Sequence, residues 1–476
     1  MSRSGSNLFG LHFAVVLLLA LVVRGGGAIV MQSSLTADPD AYRELARGIR
    51  LHGTFGLQRV DSVNGETFGS HTAFRPPLYP WLLSFLTDDF GDIANGRVAA
   101  FHFLVGIATV MLTYVVTMVM LPIARDKIGF TQVSDPRIAS CAAALLVAID
   151  PLLLQSASMV MTETVATFLV VVTLIGWAAV VDAMDRSSTR RIIWLSIALG
   201  VTCGLNYLCR PTFVLWPVML VAILGGMSWR GKTSRPLIPA AVVICVMVVF
   251  VGGWTARNMR AVGAPIWATT HGGYTLLLGN NPSFYNYLRD GDRFTTAWDA
   301  TSFIDRWNHR WEGDPRTAAF WESGERANAN PSGPLSEVDE DRMAGQAATA
   351  AILREPGTFT LACAWRLLRL HSPHPLQTTI QRSPVIHLVT AYYVGVGMAV
   401  VLGIMSLGRR CFWPRWRGGF SLWASIAAVH LFYWTDMRMR TPLVPFFAVL
   451  VAVWVAEAGR RWQIRRVRST TERVNR

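Results

Sequence analysis

Long apolar runs separated by shorter polar connections recur along most of this chain. Many of these runs approach the roughly 20 residues that an α-helix needs to cross the hydrocarbon core of a bilayer. The pattern predicts an all-α, polytopic membrane protein with ten transmembrane helices. We place them at residues 8–31, 97–121, 138–150, 163–182, 192–209, 211–228, 236–255, 385–408, 418–435 and 441–458.

The first polar segment, residues 32–96, begins with a helix-start signature in which Asp38 is the N-cap and Pro39 the first helical residue. Arg43, Arg47 and Arg50 are predicted to point away from the apolar face of this helix. That face comprises Tyr42, Leu45, Ala46 and Ile49. We expect an amphipathic helix lying in the membrane interface. A loop is predicted after it, on the evidence of Gly53, Gly56, Asn64-Gly65 and Gly69.

The second polar segment, residues 256–384, is the only other sizeable polar region. Ser336-x-x-Asp339 resembles a capping box and predicts a helix start. The run Arg354-Glu355-Pro356-Gly357 breaks that helix, and an apolar-basic helix at 358–370 leads back to the membrane. We interpret this segment as a small lid. The chain is therefore divided into a catalytic module (1–255), the lid region (256–384), C-terminal helices (385–459) and a basic tail (460–476).

Hydrophobic residues make up 52% of the chain and the mean hydropathy is +0.35, which excludes an ordinary soluble protein. The net charge of +14 comes largely from alternate connections, which the positive-inside rule assigns to the cytoplasm. Both termini are then cytoplasmic and both polar segments lie outside, as expected for a multi-pass protein of a bacterial plasma membrane. No basic soluble domain is present to bind nucleic acid. The basic residues that set this orientation are Arg125, Lys127, Arg137, Arg186, Arg190, Arg191, Arg230, Lys232, Arg235, Arg409, Arg410, Arg415 and Arg417.

Charged residues also gather at the predicted outer ends of the helices, where they are costly and tend to be kept for function. Lys127 and Lys232 are the only lysines, so every outer cation is an arginine, the residue that grips phosphate bidentately. An arginine-biased genome would give the same pattern. A carboxylate can take the proton of an acceptor hydroxyl while arginines stabilise a departing phosphate. The outer charges are Asp38, Asp40, Arg75, Asp150, Glu163, Arg210, Arg257, Asp436, Arg438 and Arg440.

An ordered set of short motifs resembles the GT-C membrane glycosyltransferases, in particular the branch with protein O-mannosyltransferases and the lipid A aminoarabinose transferase. The Asp-x-x-x-Tyr-x-x-(Leu/Ile)-Ala pattern of that branch is matched from Asp38 to Ala46, and its Arg-Pro-Pro-Leu-Tyr-Pro pattern from Arg75 to Pro80. Further landmarks follow in the family's order: Asp150-Pro151, Thr162-Glu163, Arg210-Pro211, Trp254 to Asn258, Gly279 to Pro282 and Arg438 to Pro442. Gly253 stands where the family usually has proline.

The resemblance implies transfer of a sugar from a polyprenyl-phosphate donor to a protein, lipid or glycan, with inversion at the anomeric carbon. Asp38 would be the general base, with Asp40 as the other candidate. Arg75 would clamp the donor phosphate together with Arg257 or with Arg438 and Arg440. Glu163 would contact the acceptor or support a neighbouring residue. No cofactor is required by the sequence, and a divalent metal ion stays open.

Structural roles compete with each of these assignments. Asp38 could serve solely as a helix cap, and Asp40 could serve solely to complement the helix dipole. The arginines could anchor the protein at the membrane interface. Asn280 and Asn281 fit turn positions better than ligand positions, and His371 and His374 fit interfacial structure better than a metal site. A lipid-linked-sugar transporter or a non-catalytic assembly protein is the alternative function. A transporter would place its charges near mid-span, whereas here they lie at helix ends.

Overall fold

The computed structural model describes residues 3–60, 67–121, 136–291, 297–322, 335–376 and 384–474. Asn64-Gly65, Arg125 and Lys127, on which parts of the sequence analysis depended, lie outside these residues. In chain order the helices are α1 (Arg3–Val30), α2 (Tyr42–His52), α3 (Leu78–Ser84), α4 (Asn95–Met120), α5 (Pro136–Ile149), α6 (Pro151–Ala157), α7 (Glu163–Arg186), α8 (Thr189–Cys209), α9 (Leu215–Gly231), α10 (Leu237–Val262), α11 (Gly272–Gly279), α12 (Pro282–Asp290), α13 (Thr301–Asn308), α14 (Ala318–Glu322), α15 (Glu337–Arg354), α16 (Pro356–His371), α17 (Pro384–Leu407), α18 (Pro414–His430) and α19 (Val444–Val474).

Eight helices of the described chain are long and apolar enough to cross a membrane, and they match eight of the ten predicted spans. The predicted third span is a bent pair, α5 and α6, whose axes differ by 48°. The predicted ninth span is α18, which at 17 residues is shorter than a bilayer usually requires. The all-α polytopic class is confirmed, and the total of ten stays a prediction.

The bend between α5 and α6 has a local cause at Asp150-Pro151. A residue before proline is pushed out of the helical region, and Asp150 is accordingly extended, with φ −61° and ψ 123°. Its carboxylate then caps the next helix by accepting a hydrogen bond from the Leu153 amide at 3.0 Å.

In the first polar segment the helix begins at Tyr42, so the predicted start at Pro39 is wrong. Ala41 is left-handed (φ 57°), which prevents the helix from extending further back. Asp38 still serves the helix end as predicted, because its two carboxylate oxygens accept hydrogen bonds from the amides of Tyr42 (3.1 Å) and Arg43 (2.7 Å). Tyr42, Leu45 and Ala46 form the buried face, as predicted.

The loop expected after this helix is a further prediction that is wrong. Strands β1 (Gly56–Val60) and β2 (Thr67–His71) form an antiparallel hairpin where we expected a plain loop. Gly56 is needed because a Cβ there would lie 2.4 Å from the Ser70 carbonyl oxygen. The Arg43 guanidinium donates to the Leu35 carbonyl at 2.8 Å and to the Asn95 side chain at 2.6 Å, so this arginine is bound to neighbouring parts of the chain.

The second polar segment has an aromatic core of its own, built around Phe284, Trp298, Phe303 and Trp307. The Ser336 hydroxyl accepts from the Asp339 amide at 3.2 Å and starts α15, as the capping box predicted. The helix stops at Arg354 and α16 restarts at Pro356, also as predicted.

Both polar segments lie at one end of the helix bundle. The Thr270 amide donates to the Ala73 carbonyl at 3.0 Å, which joins the two segments directly. Basic connections meet at the other end, where Arg415 pairs with Asp182 at 2.7 Å and Arg235 donates to the Met184 carbonyl at 2.8 Å. Which end faces the cytoplasm is still a prediction.

We predict that the end with the polar segments is non-cytoplasmic, because the basic connections lie at the other. In a background without native cysteines, Asp89→Cys and Arg342→Cys place thiols at exposed positions of the two segments (side chains 96% and 63% exposed). Both should react with an impermeant thiol reagent in intact cells, whereas Arg409→Cys should react only after permeabilisation. The opposite labelling pattern would reverse the orientation.

Candidate functional site

Asp38 and Asp40 lie on the turn that leads into α2, but their surroundings differ. The Asp38 carboxylate is held by the two amides of the helix end. Asp40 instead pairs with Arg75, whose Nη2 lies 2.6 Å from its Oδ1, and both side chains are mostly buried. Burial raises the pKa of the Asp40 carboxyl, and the Arg75 charge opposes that rise.

The position of Arg75 follows from the residues on either side of it. Two prolines come after it, and α3 starts at Leu78, so the backbone turns sharply at this point. Before it, the Phe74 ring lies 4.3 Å from the guanidinium carbon, in a cation–π contact. His271 packs against the other side of Phe74 with ring centroids 5.0 Å apart, and burial together with the nearby Arg75 charge lowers the pKa of His271 to about 3.

Glu163 begins α7 and is the buried anion of the site, with 3% of its side chain exposed. Its Oε1 lies 3.2 Å from Nη1 of Arg210 and 3.5 Å from Nε of Arg438. Arg210 follows the last residue of α8, and Arg438 lies in the 3-10 segment Met437–Leu443. The start of α7, the end of α8 and this 3-10 segment therefore meet at one carboxylate.

The three ion pairs belong to one electrostatic cluster. Glu163 and Arg438 both act on the Asp40 carboxyl, as does Asp38. Arg75, Arg210 and Arg438 pair with the carboxylates of Asp40 and Glu163. The Asp38 carboxylate acts on Asp40 and the Asp436 carboxylate acts on Arg438. We call Asp40, Arg75, Glu163, Arg210 and Arg438 the ionic cluster.

Aromatic residues support the ionic cluster from inside the bundle. Tyr42 packs edge-on against Tyr79 with ring centroids 5.0 Å apart. His102 must carry its proton on Nδ1, because that atom lies 2.9 Å from the Ala157 carbonyl, which can only accept. Its Nε2 then accepts the Tyr79 hydroxyl hydrogen bond at 2.9 Å. This chain of contacts fixes α3 and the start of α2 against the bundle.

Two of the predicted phosphate ligands lie apart from the ionic cluster. Arg257 donates to the carbonyls of Phe55 (2.7 Å) and Thr72, so its guanidinium is held by backbone. Arg440 donates through Nη1 to the carbonyls of Ser372 (2.6 Å) and Leu370 (3.2 Å). Of the seven site residues predicted from sequence, the structure brings together Asp40, Arg75, Glu163 and Arg438, with Asp38 adjoining.

The second polar segment reaches the cluster through Glu337, which the sequence analysis did not single out. Its carboxylate accepts from the Thr72 hydroxyl at 2.5 Å and from the Ala73 amide at 2.8 Å. Because Arg257 also holds the carbonyl of Thr72, the strand end before Arg75 is held from both sides. A glutamate directly after the N-cap of a predicted helix was the available signal.

Other residues have structural roles. Asn280 and Asn281 are buried: Asn281 caps α12 by accepting from the Phe284 amide at 2.9 Å, and Asn280 donates to the Phe432 carbonyl at 2.8 Å. The sequence favoured turn roles for both. Arg366, which was missed, is 1% exposed and donates to the Gly279 carbonyl at 2.6 Å. Only its position in an apolar-basic helix hinted at burial.

No group of three or more histidine, cysteine, aspartate or glutamate residues that could hold a metal ion occurs within the described parts of the chain. His371 donates through Nδ1 to the Leu367 carbonyl at 2.9 Å and accepts the Trp423 indole hydrogen bond at 2.7 Å. His374 contacts the Thr390 hydroxyl at 3.1 Å. Both histidines thus have protein partners.

No protein-family model matches this sequence, and no curated protein matches it. Several solved structures do match this chain. The oligosaccharyltransferase AglB from the archaeon Archaeoglobus fulgidus, in complex with an inhibitory peptide and a dolichol-phosphate, aligns at a TM-score of 0.55 and 15% identity over 99% of this chain and 52% of its own. An Archaeoglobus fulgidus oligosaccharyltransferase tethered with an acceptor peptide aligns at 0.54 and 16%, over 96% and 50%. ArnT from Cupriavidus metallidurans bound to undecaprenyl phosphate aligns at 0.41 and 16%, over 96% and 79%, and nothing is inferred from it.

The chain spans about half the length of the oligosaccharyltransferases that it matches. At these identities the likeness establishes the fold alone. The chain therefore shares the fold of these oligosaccharyltransferases.

Proposed function

We propose that this chain, which has the fold of the GT-C membrane glycosyltransferases, moves a sugar from a polyprenyl-phosphate donor to an acceptor hydroxyl. The observation that carries this proposal is the ionic cluster, where three arginines and two carboxylates meet beside both polar segments. The dolichol-phosphate in the AglB structure supports a polyprenyl-phosphate donor here.

The charge of the cluster suits an anionic leaving group. Its three arginines meet in one site, so a phosphate that enters can be bound by guanidinium groups rather than left without a counter-charge. Arg75 is the foremost ligand because it has a single carboxylate partner and comes from a polar segment rather than from inside the bundle. Arg210 and Arg438 both pair with Glu163 and supply further positive charge to the site.

Asp40 is the general base that this geometry favours. Entry of the donor phosphate gives Arg75 a second anionic partner and weakens its hold on Asp40. The freed carboxylate, with its pKa raised by burial, is a better proton acceptor. Asp38, the base that the motif implied, is still a candidate. Its two oxygens already accept hydrogen bonds from the α2 amides, which makes it a weaker base.

The reaction is a single displacement. Asp40 takes the proton of the acceptor hydroxyl while the acceptor oxygen attacks the anomeric carbon. The bond between that carbon and the phosphate oxygen breaks, and the electron pair leaves with polyprenyl phosphate, which the arginines stabilise. Attack opposite the leaving group inverts the configuration. Arg257 supports this chemistry through the Thr72 carbonyl rather than by touching the phosphate.

The purified full-length protein, reconstituted in lipid nanodiscs, tests the proposal directly. It should be incubated with a panel of radiolabelled polyprenyl-phosphate sugars and a membrane extract as the source of acceptor. Release of label from one of these lipids by wild type, and not by Asp40→Asn, is the expected result. If wild type releases no label from any donor but moves an intact labelled lipid between leaflets, the protein is a transporter.

Arg75→Lys should weaken binding of polyprenyl phosphate although the charge is kept, since an ammonium cannot reproduce the planar fork of arginine. We expect a loss of about tenfold, the equivalent of roughly 1.4 kcal/mol. Arg97→Lys is the matched control, because Arg97, in the first turn of α4, donates to the Leu86 carbonyl of that polar segment at 3.0 Å. Titration of both variants with polyprenyl phosphate checks this, and equal affinities would make Arg75 an interfacial anchor.

A further inference from the structure

A chamber lies among α17, α18 and α19, beside the end of α5. It has a volume of about 210 Å³, larger than the roughly 150 Å³ that suffices for a dry apolar cavity to bind benzene. Val400, Val444 and Phe447 line its apolar part. Gly397 lies in its wall and has no atom within 4 Å of the position a Cβ would take, so the chamber opens there beside the backbone of α17.

The polar end of this chamber carries Arg440, a buried cation with an unsatisfied hydrogen-bond donor. Arg440 is 5% exposed, and although its Nη1 donates to two carbonyls, its buried Nη2 has no hydrogen-bond acceptor among the described residues. The Tyr393 ring lies 4.6 Å below the guanidinium, and its hydroxyl donates to Asp150 at 3.1 Å and accepts from the Leu152 amide at 2.9 Å. An unsatisfied buried donor of this kind is costly unless a ligand completes it.

The charge balance at this end is positive. Asp150 is the buried carboxylate that acts on Arg440, and it acts on the buried Arg24 as well. His371 adds no charge, because its Nε2 accepts the Trp423 indole hydrogen bond and is therefore unprotonated. Two buried arginines thus share one carboxylate.

We propose that this chamber binds an anionic membrane phospholipid, with one hydrocarbon chain in the apolar part and the phosphate at Arg440. The volume suits a short length of a single chain. The wall opens toward the bilayer along α17, whose exposed side chains include Leu388, Met398 and Met405. Trp423 and Tyr392, which suit the headgroup level, flank the polar end.

This site is separate from the ionic cluster. Arg438 and Arg440 lie two residues apart on one 3-10 segment, but Arg438 faces Glu163 while Arg440 lies over the Tyr393 ring at 4.6 Å. Met437 packs with Leu152 and Tyr393 between the two. Arg438 therefore belongs to the ionic cluster and Arg440 to the chamber, and the phospholipid site does not depend on the proposed sugar transfer.

Two glycines of α17, Gly395 and Gly397, supply a matched pair of variants. Gly397→Leu fills the chamber, whereas Gly395→Leu, two residues away, adds the same side chain outside the chamber lining; neither Cβ meets an atom within 4 Å. Native mass spectrometry of the full-length protein, titrated with phosphatidylglycerol or with zwitterionic phosphatidylcholine, reports the site. We expect one phosphatidylglycerol to bind more tightly than phosphatidylcholine to wild type and to Gly395→Leu.

Gly397→Leu should weaken phosphatidylglycerol binding by about tenfold or more, and Arg440→Gln should remove the preference for the anionic lipid. Polyprenyl phosphate should bind Gly397→Leu and wild type equally, while Arg75→Ala should lose polyprenyl phosphate and keep phosphatidylglycerol. Equal phosphatidylglycerol binding by the two glycine variants would overturn the proposal. Loss of polyprenyl phosphate by Gly397→Leu would also overturn it, since the chamber would then belong to the donor.

Discussion

Asp40→Asn should reduce sugar transfer by about 10²–10⁴-fold, the range expected when a positioned general base is lost. Asparagine keeps the size of the side chain and can accept the Arg75 hydrogen bond through its amide oxygen. We therefore expect the variant to fold and to bind the donor, because Arg75 stays available for phosphate. The measurement is transfer from the labelled donor at saturating donor concentration, beside donor affinity.

Asp38→Asn is the matched control for this prediction. It replaces one of the two oxygens that accept the α2 amides, so we expect a loss of about 1 kcal/mol in stability and only a modest loss of transfer. If Asp38→Asn is inactive and Asp40→Asn turns over near the wild-type rate, the base is Asp38, as the sequence motif implied. Full activity of both variants would remove the general base from this turn.

The acid limb of the rate profile follows from the same carboxyl. Asp40 must be deprotonated to accept a proton, and burial raises its pKa above the ordinary aspartate value. Transfer should therefore fall as the pH drops through a value above that of a solvent-exposed aspartate. Arg75→Gln, which removes the opposing positive charge, should move this limb to still higher pH in kcat/KM for the acceptor.

Local signals in the sequence were sufficient wherever a short run of residues determines its own backbone. The Ser336 cap and the break at Arg354 to Pro356 each arise from side chain–amide bonds or proline sterics within a few residues. The left-handed Ala41, which moves the start of α2 to Tyr42, has no such signal. Alanine rarely adopts this conformation, and the capping pattern alone placed the start too early.

The candidate site was likewise predicted only in part from the sequence. Arg257, Arg438 and Arg440 looked equivalent because each follows or precedes an apolar run. Their partners come from distant parts of the chain: Arg438 meets Glu163, whereas Arg257 meets Thr72 and Arg440 meets Ser372. Whether an arginine lies in the ionic cluster or elsewhere depends on helix packing. Spacing along the sequence carries no information about helix packing. Arg210 was noticed as a landmark but was left out of the site for the same reason.

Glu163→Ala should strongly destabilise the protein, because it removes the shared counter-charge of Arg210 and Arg438. Breaking a buried ion pair by deleting one partner typically costs about 3–5 kcal/mol. The two arginine side chains are only 16% and 22% exposed, so water can replace little of what is lost. We expect a clearly lower unfolding midpoint in a thermal assay of the full-length protein.

The ionic cluster adds a feature that a purely structural ion pair lacks. If its arginines bind the donor phosphate, polyprenyl phosphate should restore part of the lost stability of Glu163→Ala, since it supplies the missing anion. Glu312→Ala is the matched control: Glu312 is 4% exposed and pairs with Arg306 at 2.9 Å in the second polar segment, where the same lipid should restore nothing. A Glu163→Ala protein as stable as wild type but inactive would instead make Glu163 a direct contact of the acceptor, as the motif resemblance allowed. Equal restoration of both variants would mean that the lipid stabilises the fold without using the cluster.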